Sequence, residues 1–233
     1  MSKKNTAGSG LDIIEDPEAL AGQINKAETF FRKNQKVLLV IGGALLVGVL
    51  AFAGYRFYID GQESQAQAAL SNVVYDFEAD SLQKALNGSG GNLGLLSIAD
   101  EYSGTDAGNL ASLYAGIALM KQGKYDEAIS QLTAFSSSDL LVQARALALT
   151  GDAYMDKNQP AEAISFYKKA ADYKSNEFFT PVYLMKLAIA QEKADKKTDA
   201  IASYKRIVDE HPISAEVTNA KKYMGLLEGQ VGE

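Results

Sequence analysis

The sequence predicts an all-α protein in which a single N-terminal transmembrane helix precedes an α-solenoid of repeated helix pairs. The first observation is an apolar run at residues 37–55 that contains no charged, Asn, Gln, Ser or Thr side chain. The second is an internal repeat of 35 to 37 residues between residues 112 and 207, in which apolar residues recur at helical spacing. Together these patterns divide the chain into a leader, a span, a connecting segment and a repeat domain.

The apolar run has the length and the flanks of a membrane-spanning helix. It reads VLLVIGGALLVGVLAFAGY and is nineteen residues long. Lys36 precedes it and Arg56 follows it. A helix rises about 1.5 Å per residue, so roughly 20 apolar residues cross the hydrocarbon core of a bilayer. Aromatic residues, which favour the headgroup region, mark its C-terminal end at Tyr55, Phe57 and Tyr58. We therefore predict a transmembrane helix at residues 37–58.

Two other interpretations of this run stay open. A buried core helix would need a large domain around it, yet only 36 residues precede the run. A cleaved signal peptide is consistent with Ala51-Phe52-Ala53, which has the small-x-small form of a cleavage site. The length of the leader and the length of the apolar run favour an uncleaved anchor over both alternatives.

The distribution of basic residues predicts the orientation of this helix. Four Lys or Arg residues lie between residues 26 and 36, whereas Arg56 is the only one between the run and Lys84. Loops on the cytoplasmic side of a membrane are enriched in Lys and Arg. We therefore expect the N-terminus to be cytoplasmic and residues 60–233 to lie on the opposite side of the membrane.

The other domains follow from the position of the span. A leader at 1–36 is expected to contain a short amphipathic helix that begins near Asp16, and this helix either rests on the cytoplasmic leaflet or is an ordinary linker. Residues 59–92 are expected to form a juxtamembrane helix and a Gly-rich loop, with Gly61 as a candidate break. The repeats then occupy a domain at 93–233.

Within the span, small residues share one helix face at Ala44, Gly48 and Ala51. Small side chains let a second membrane helix approach closely, although Gly is also common in membrane helices generally. We take this face as a candidate transmembrane helix contact.

Composition and charge exclude several function classes. The chain has no Cys and one His, and residues 57–233 carry 16 Lys or Arg against 24 Asp or Glu, a net charge of −8. An acidic surface disfavours nucleic acid, because phosphate contacts need basic residues. The sequence contains no nucleophile motif, metal-ligand spacing or phosphate-binding loop. We therefore predict no catalytic, metal-binding or cofactor-binding residues and no small-molecule substrate, and hence a protein that is not an enzyme.

Three copies of a short motif mark the repeat domain. They read YDEAISQL from residue 125, PAEAISFY from residue 160 and TDAIASY from residue 198. The copies resemble the tetratricopeptide repeat, in which small residues at the eighth and twentieth positions let two antiparallel helices pack closely and a large residue near the twenty-fourth fills the neighbouring gap. The matching residues are Gly116, Gly151 and Ala188, then Ala128, Ala163 and Ala200, then Leu132, Tyr167 and Tyr204. The usual Trp position departs from the family pattern and holds Ser112, Leu147 and Leu184.

The resemblance implies a binding groove lined by the first helix of each repeat. The residues expected to face it are mostly apolar and include three Met, whose flexible side chains adapt to varied apolar partners. They are Leu113, Ile117, Met120, Asp152, Met155, Met185 and Ile189, with Arg145, Asp156 and Glu192 as charged neighbours. The Lys and Asn clamp that holds a terminal carboxylate in co-chaperone repeats is absent. Its two key positions hold Leu113 and Ile117, Ala148 and Asp152, and Met185 and Ile189 in the three copies. The alternative is that the Met residues fill gaps between repeats.

Three segments flank the span and open the repeats: FFRKNQK at 30–36, GYRFY at 54–58 and EYSGT at 101–105. They resemble the YfgM family, whose members are single-pass proteins of the bacterial inner membrane with periplasmic tetratricopeptide-like repeats. The resemblance implies association with the SecYEG translocon and with a PpiD-like membrane-anchored chaperone. It also implies a role in the hand-over of exported proteins to periplasmic chaperones.

Two other functions stay open at this point. One is a general inner-membrane adaptor for another cell-envelope or secretion complex. The other is an organellar import receptor, which would place its repeats in the cytosol and so conflicts with the distribution of basic residues.

Overall fold

The computed structural model describes residues 17–231 and builds them mainly from helices. Within this range the protein forms ten α-helices and no β-strand, which confirms the predicted all-α fold class. The helices are α1 (Pro17–Glu78), α2 (Leu82–Asn87), α3 (Leu95–Glu101), α4 (Asp106–Lys121), α5 (Tyr125–Ala134), α6 (Leu140–Asp156), α7 (Pro160–Asp172), α8 (Thr180–Lys193), α9 (Lys197–Glu210) and α10 (Val217–Val231). Asp16, expected at the start of the leader helix, lies outside the described residues.

Helix α1 carries the apolar run. The chain divides into two compact units between Tyr58 and Ile59, and α1 contributes residues to both. By length and composition, α1 is the one helix among the described residues that could cross a membrane, and none of its most apolar window is buried. The core helix of a soluble protein would be mostly buried, so this exposure favours a membrane span over that alternative.

The second compact unit begins at Ile59, and we call it the repeat unit. The C-terminal part of α1 belongs to it, and the helix continues through Gly61 without a break. Its buried side chains join a core cluster with α3 and α4 and are Ala66, Leu70 and Val73. The Glu63 carboxylate accepts hydrogen bonds from the backbone N–H groups of Asp106 and Ala107, at 2.7 and 3.3 Å. Because these N–H groups open α4 and have no partner within it, Glu63 caps the first repeat helix.

Helices α4 to α9 form three consecutive helical hairpins. Helix α4 pairs with α5, α6 with α7 and α8 with α9, and each helix also packs against the next one along the chain. Helix α10 packs on α9 and covers the last hairpin. Apolar side chains from neighbouring helices merge into three core clusters. This arrangement is the predicted α-solenoid.

Each hairpin turns at a residue with a left-handed backbone. Gly123, Asn158 and Asp195 have φ angles of 73°, 58° and 56° and occupy equivalent positions in the three copies. Gly adopts this conformation freely, and Asn and Asp tolerate it better than other L-residues. In each turn the N–H of the following residue donates to a carbonyl five residues earlier, at 2.8 to 2.9 Å. The same hydrogen bond therefore closes the first helix of every pair.

The two helices of a pair approach closely where the sequence places its small residues. A Cβ atom built on Gly116 would lie 2.6 Å from Cγ of Leu132, and one built on Gly151 would lie 2.6 Å from Cε1 of Tyr167. Both distances are far inside van der Waals contact, so glycine fits here without displacing its neighbour. The small residues of the facing helices are fully buried at Ala128, Ala163 and Ala200.

Candidate functional site

An open groove lies between α6 and α8, the first helices of two neighbouring repeats. Its volume is about 510 Å³, within the range of ligand-binding clefts. The lining is mostly apolar with three charged side chains and consists of Leu141, Val142, Arg145, Ala148, Leu149, Asp152, Phe179, Val182, Tyr183 and Lys186. We call this surface the α6–α8 groove.

The first turn of α6 forms one end of the groove. Asp139 caps this helix, because its carboxylate accepts hydrogen bonds from the N–H groups of Val142 and Leu141, at 2.9 and 2.8 Å. These two bonds hold the pKa of Asp139 below its usual value. The cap positions Val142 and Leu141 at the edge of the groove, where Leu141 is 45% exposed.

The turn before α8 forms the opposite wall. The Asn176 side chain accepts hydrogen bonds from the N–H groups of Phe178 and Phe179, at 3.1 and 2.9 Å. The Thr180 hydroxyl accepts one from the Asn176 N–H at 2.9 Å. Pro181 follows in the first turn of α8, where an N–H would have no partner within the helix. This network holds Phe179 against the groove with 41% of its surface exposed.

The carboxylate of Asp152 lies in the groove between two partners. It accepts a hydrogen bond from the Tyr167 hydroxyl at 2.6 Å and pairs with the Lys186 ammonium at 2.7 Å. Burial raises the pKa of Tyr167, and the hydrogen bond to Asp152 raises it further. The hydroxyl therefore stays protonated as a donor, and the Asp152–Lys186 pair links α6 to α8.

Arg145 lies on the same wall as Asp152, two helical turns nearer the start of α6. Burial raises the pKa of Tyr183, and the nearby positive charge of Arg145 lowers it in part. Among residues 17–231, no hydrogen bond or ion pair involves the Arg145 guanidinium. The groove therefore contains one neutral ion pair and one unpaired positive charge.

The residues predicted to face a groove lie in different environments. Asp152 lines the α6–α8 groove. Leu113, by contrast, is only 6% exposed and belongs to a core cluster with residues of α5 and α6. Ile117 and Met120 are partly buried against the same cluster. Helix α4 thus turns these side chains toward its neighbours in the stack.

The residues of the last two repeats that were predicted to face the groove also lie in different environments. Met155 and Met185 are partly buried against the core cluster that α6 to α10 form. This is the arrangement expected if the Met residues fill gaps between repeats. Ile189 is 39% exposed. The structure does not bring these residues together with Asp152 into the α6–α8 groove, and their role in partner binding stays a prediction.

The small face of the span is exposed along α1. Ala44, Gly48 and Ala51 are all accessible, and a Cβ atom built on Gly48 would meet no neighbouring side chain within 4 Å. A contact between this face and a second membrane helix stays a prediction. Within the described range, no group of three or more His, Cys, Asp or Glu side chains is placed to hold a metal ion.

Sequence reasoning missed most of the apolar lining of the α6–α8 groove, and it also missed Lys186 and Phe179. The repeat alignment contained a signal for Lys186, since Asp152 and Lys186 both stand at positions that are apolar or aromatic in the other copies. Opposite charges at two such positions, on the first helices of neighbouring repeats, indicate an ion pair between them. No comparable signal marks Phe179, because its exposure depends on the turn before α8.

Comparison with protein families finds tetratricopeptide repeats from α1 to α9. A tetratricopeptide repeat-like domain matches residues 28–140, and tetratricopeptide repeats match residues 114–177 and 183–212. A comparison with curated proteins gave no match. The chain therefore carries tetratricopeptide-type repeats together with a candidate N-terminal membrane span. Repeats of this type are typically protein-interaction domains without catalytic activity.

The first of these matches begins before the apolar run. It includes the candidate span, the rest of α1 and the first repeat hairpin. This extent agrees with the packing of Ile59–Glu78 on α3 and α4, which makes the end of α1 part of the repeat unit.

Proposed function

We propose that this protein is a membrane-anchored scaffold whose tetratricopeptide repeats bind partner proteins. The observation that carries this proposal is the α6–α8 groove, an open and mostly apolar surface on repeats of an interaction type. Helix α1 supplies the anchor, since its apolar run has the length and composition of a span. Anchoring places the groove at a high effective concentration relative to partners in the same membrane.

We further propose that the repeats are periplasmic and that the protein associates with the Sec translocon of the bacterial inner membrane. There it aids the hand-over of exported proteins to periplasmic chaperones. The partners, SecYEG and a PpiD-like membrane-anchored chaperone, follow from the resemblance of residues 30–36, 54–58 and 101–105 to the YfgM family. The groove supports equally a general inner-membrane adaptor that serves another cell-envelope or secretion complex.

A reporter enzyme that is active only in the periplasm, fused after Glu233, is expected to be active. The basic residues between 26 and 36 keep the N-terminus in the cytoplasm, so the C-terminal unit is translocated. A reporter that is active only in the cytoplasm should be silent at the same position. The opposite pair of results would contradict both the orientation and the association with the periplasmic side of the translocon.

Purification of the full chain from mild detergent extracts is expected to recover SecYEG and a PpiD-like chaperone. If a partner helix packs on the small face of the span, Gly48→Leu separates the two helices while the span stays apolar. Recovery should then fall by roughly tenfold, which corresponds to about 1–2 kcal/mol of association. Val49→Leu places the same side chain on another face and should leave recovery unchanged.

Equal recovery with Gly48→Leu and Val49→Leu would show that the span is a plain anchor. The repeats or the leader would then carry the association. Recovery of a different envelope complex without SecYEG would replace the translocon proposal with the general adaptor.

A further inference from the structure

We propose that the α6–α8 groove binds an apolar segment of a partner polypeptide that carries one acidic side chain in its interior, and that Arg145 pairs with this carboxylate. This binding mode rests on the proposed scaffold function and defines the chemistry of the segment that the scaffold binds.

The groove holds one positive charge in excess. Asp152 and Lys186 neutralise each other at 2.7 Å. The Arg145 guanidinium has no hydrogen-bond or ion-pair partner among the described residues, although residues 57–233 carry a net charge of −8. A guanidinium can bind a carboxylate through two parallel hydrogen bonds, so an acidic side chain of a partner polypeptide matches its charge and its geometry.

Helix packing does not require an arginine at this position. The equivalent residues of the first and third copies are Leu110 and Val182, 35 residues before and 37 residues after it. Asp152 and Lys186 also depart from the apolar pattern, but they compensate each other through their ion pair. No described residue compensates the charge of Arg145 in the same way. We therefore assign this charge to the binding of a ligand rather than to the stability of the fold.

Apolar side chains lie on both sides of Arg145 along α6. Leu141 lies one turn before it and Leu149 one turn after it, and the two are about 12 Å apart along the helix axis. Roughly four residues of extended peptide cover this distance. A segment with its acidic residue in the middle covers Leu141 on one side of Arg145 and Leu149 on the other. A chain whose terminal carboxylate pairs with Arg145 ends at that point and leaves one of these two side chains uncovered.

Phe179 beside α8 and the net charge of the repeat unit restrict the composition of the bound segment further. Phe179 is 41% exposed on α8 and offers an aromatic surface to the apolar side chains of the same segment. The net negative charge of the repeat unit repels a strongly acidic peptide. A single acidic residue among large apolar residues is therefore the segment that fits.

The test uses the full chain in detergent and pools of nine-residue peptides with amidated C-termini. The central residue is Glu, Gln or Lys, and the flanking residues vary among Leu, Val, Phe, Ala and Ser. We expect the wild type to bind the Glu pool at least tenfold more tightly than the Gln pool, the ratio expected of one charge-assisted hydrogen bond. Arg145→Gln should bind these two pools equally, and Arg145→Glu should prefer the Lys pool.

Arg206→Gln is the matched control. Arg206 lies on α9 outside the groove and pairs with Asp172 and Glu210, so this variant should keep the preference for Glu. A parallel set of the same pools carries free C-termini, and the wild type should bind both sets alike.

This binding mode would be overturned by a preference for Glu that survives in Arg145→Gln, by equal binding of all pools by the wild type, or by binding of peptides with free C-termini alone. Equal binding of all pools leaves the scaffold function in place. Absence of binding to every pool, with partners still recovered from extracts, also overturns this binding mode and transfers the scaffold function to another surface.

Discussion

Replacing Tyr204 with alanine is expected to lower the free energy of unfolding of the repeat unit by about 3–5 kcal/mol. Tyr204 is the largest fully buried side chain among the described residues, and its ring stacks on Tyr223 with centroids 5.8 Å apart. Its removal leaves a cavity that the surrounding helices fill only in part. Urea denaturation of residues 59–233, followed by circular dichroism, measures the loss.

Two further variants separate the contributions of this side chain. Tyr204→Phe keeps the ring but removes the hydroxyl that donates to Glu192 at 2.5 Å, so we expect a loss of about 1–3 kcal/mol. Tyr223→Ala removes the neighbouring ring, which is 36% exposed, and should cost clearly less than Tyr204→Ala. Equal losses for Tyr204→Ala and Tyr223→Ala would be inconsistent with the packing of the last repeat.

Adding one methyl group at Gly151 is expected to destabilise the repeat unit by about 1–3 kcal/mol. The new Cβ atom would lie 2.6 Å from Cε1 and 2.7 Å from Cδ1 of Tyr167. The ring cannot move aside freely, because Tyr167 is only 2% exposed and its hydroxyl is bonded to Asp152 at 2.6 Å. The overlap outweighs the gain of about 1 kcal/mol that Ala normally has over Gly within a helix.

Gly225→Ala is the matched control for this change. Gly225 lies inside α10, where a Cβ atom would meet nothing within 4 Å. Helix propensity then acts alone, and we expect stabilisation by up to about 1 kcal/mol in the same denaturation assay. A stabilising effect of Gly151→Ala would rule out the close approach of α6 and α7.

The sequence by itself determined the fold class and the repeat type. Apolar residues at helical spacing must be buried on one face of a helix, and their recurrence every 35 to 37 residues implies stacked helix pairs. Gly151 and Ala163 were predicted at a close helix crossing because larger side chains do not fit there. The hairpin turns are equally local, since a left-handed residue such as Asn158 depends on its own backbone preference.

Only the tertiary structure decided which side chains meet. Leu113 lies on the first helix of a repeat, yet it is buried because α5 and α6 cover that face. Periodicity relates a residue to its own helix, but the stacking of neighbouring helices determines which faces stay open. The cap that Glu63 forms on α4 bridges 43 residues of sequence and has the same origin.

Arg145 shows both contributions at one position. The sequence places a charge where the other copies have Leu110 and Val182. The tertiary structure brings Lys186 to Asp152 and leaves the Arg145 guanidinium without a partner among residues 17–231. Ion pairing depends on distances of a few ångströms between side chains on different helices, and the packing of α6, α7 and α8 alone determines those distances.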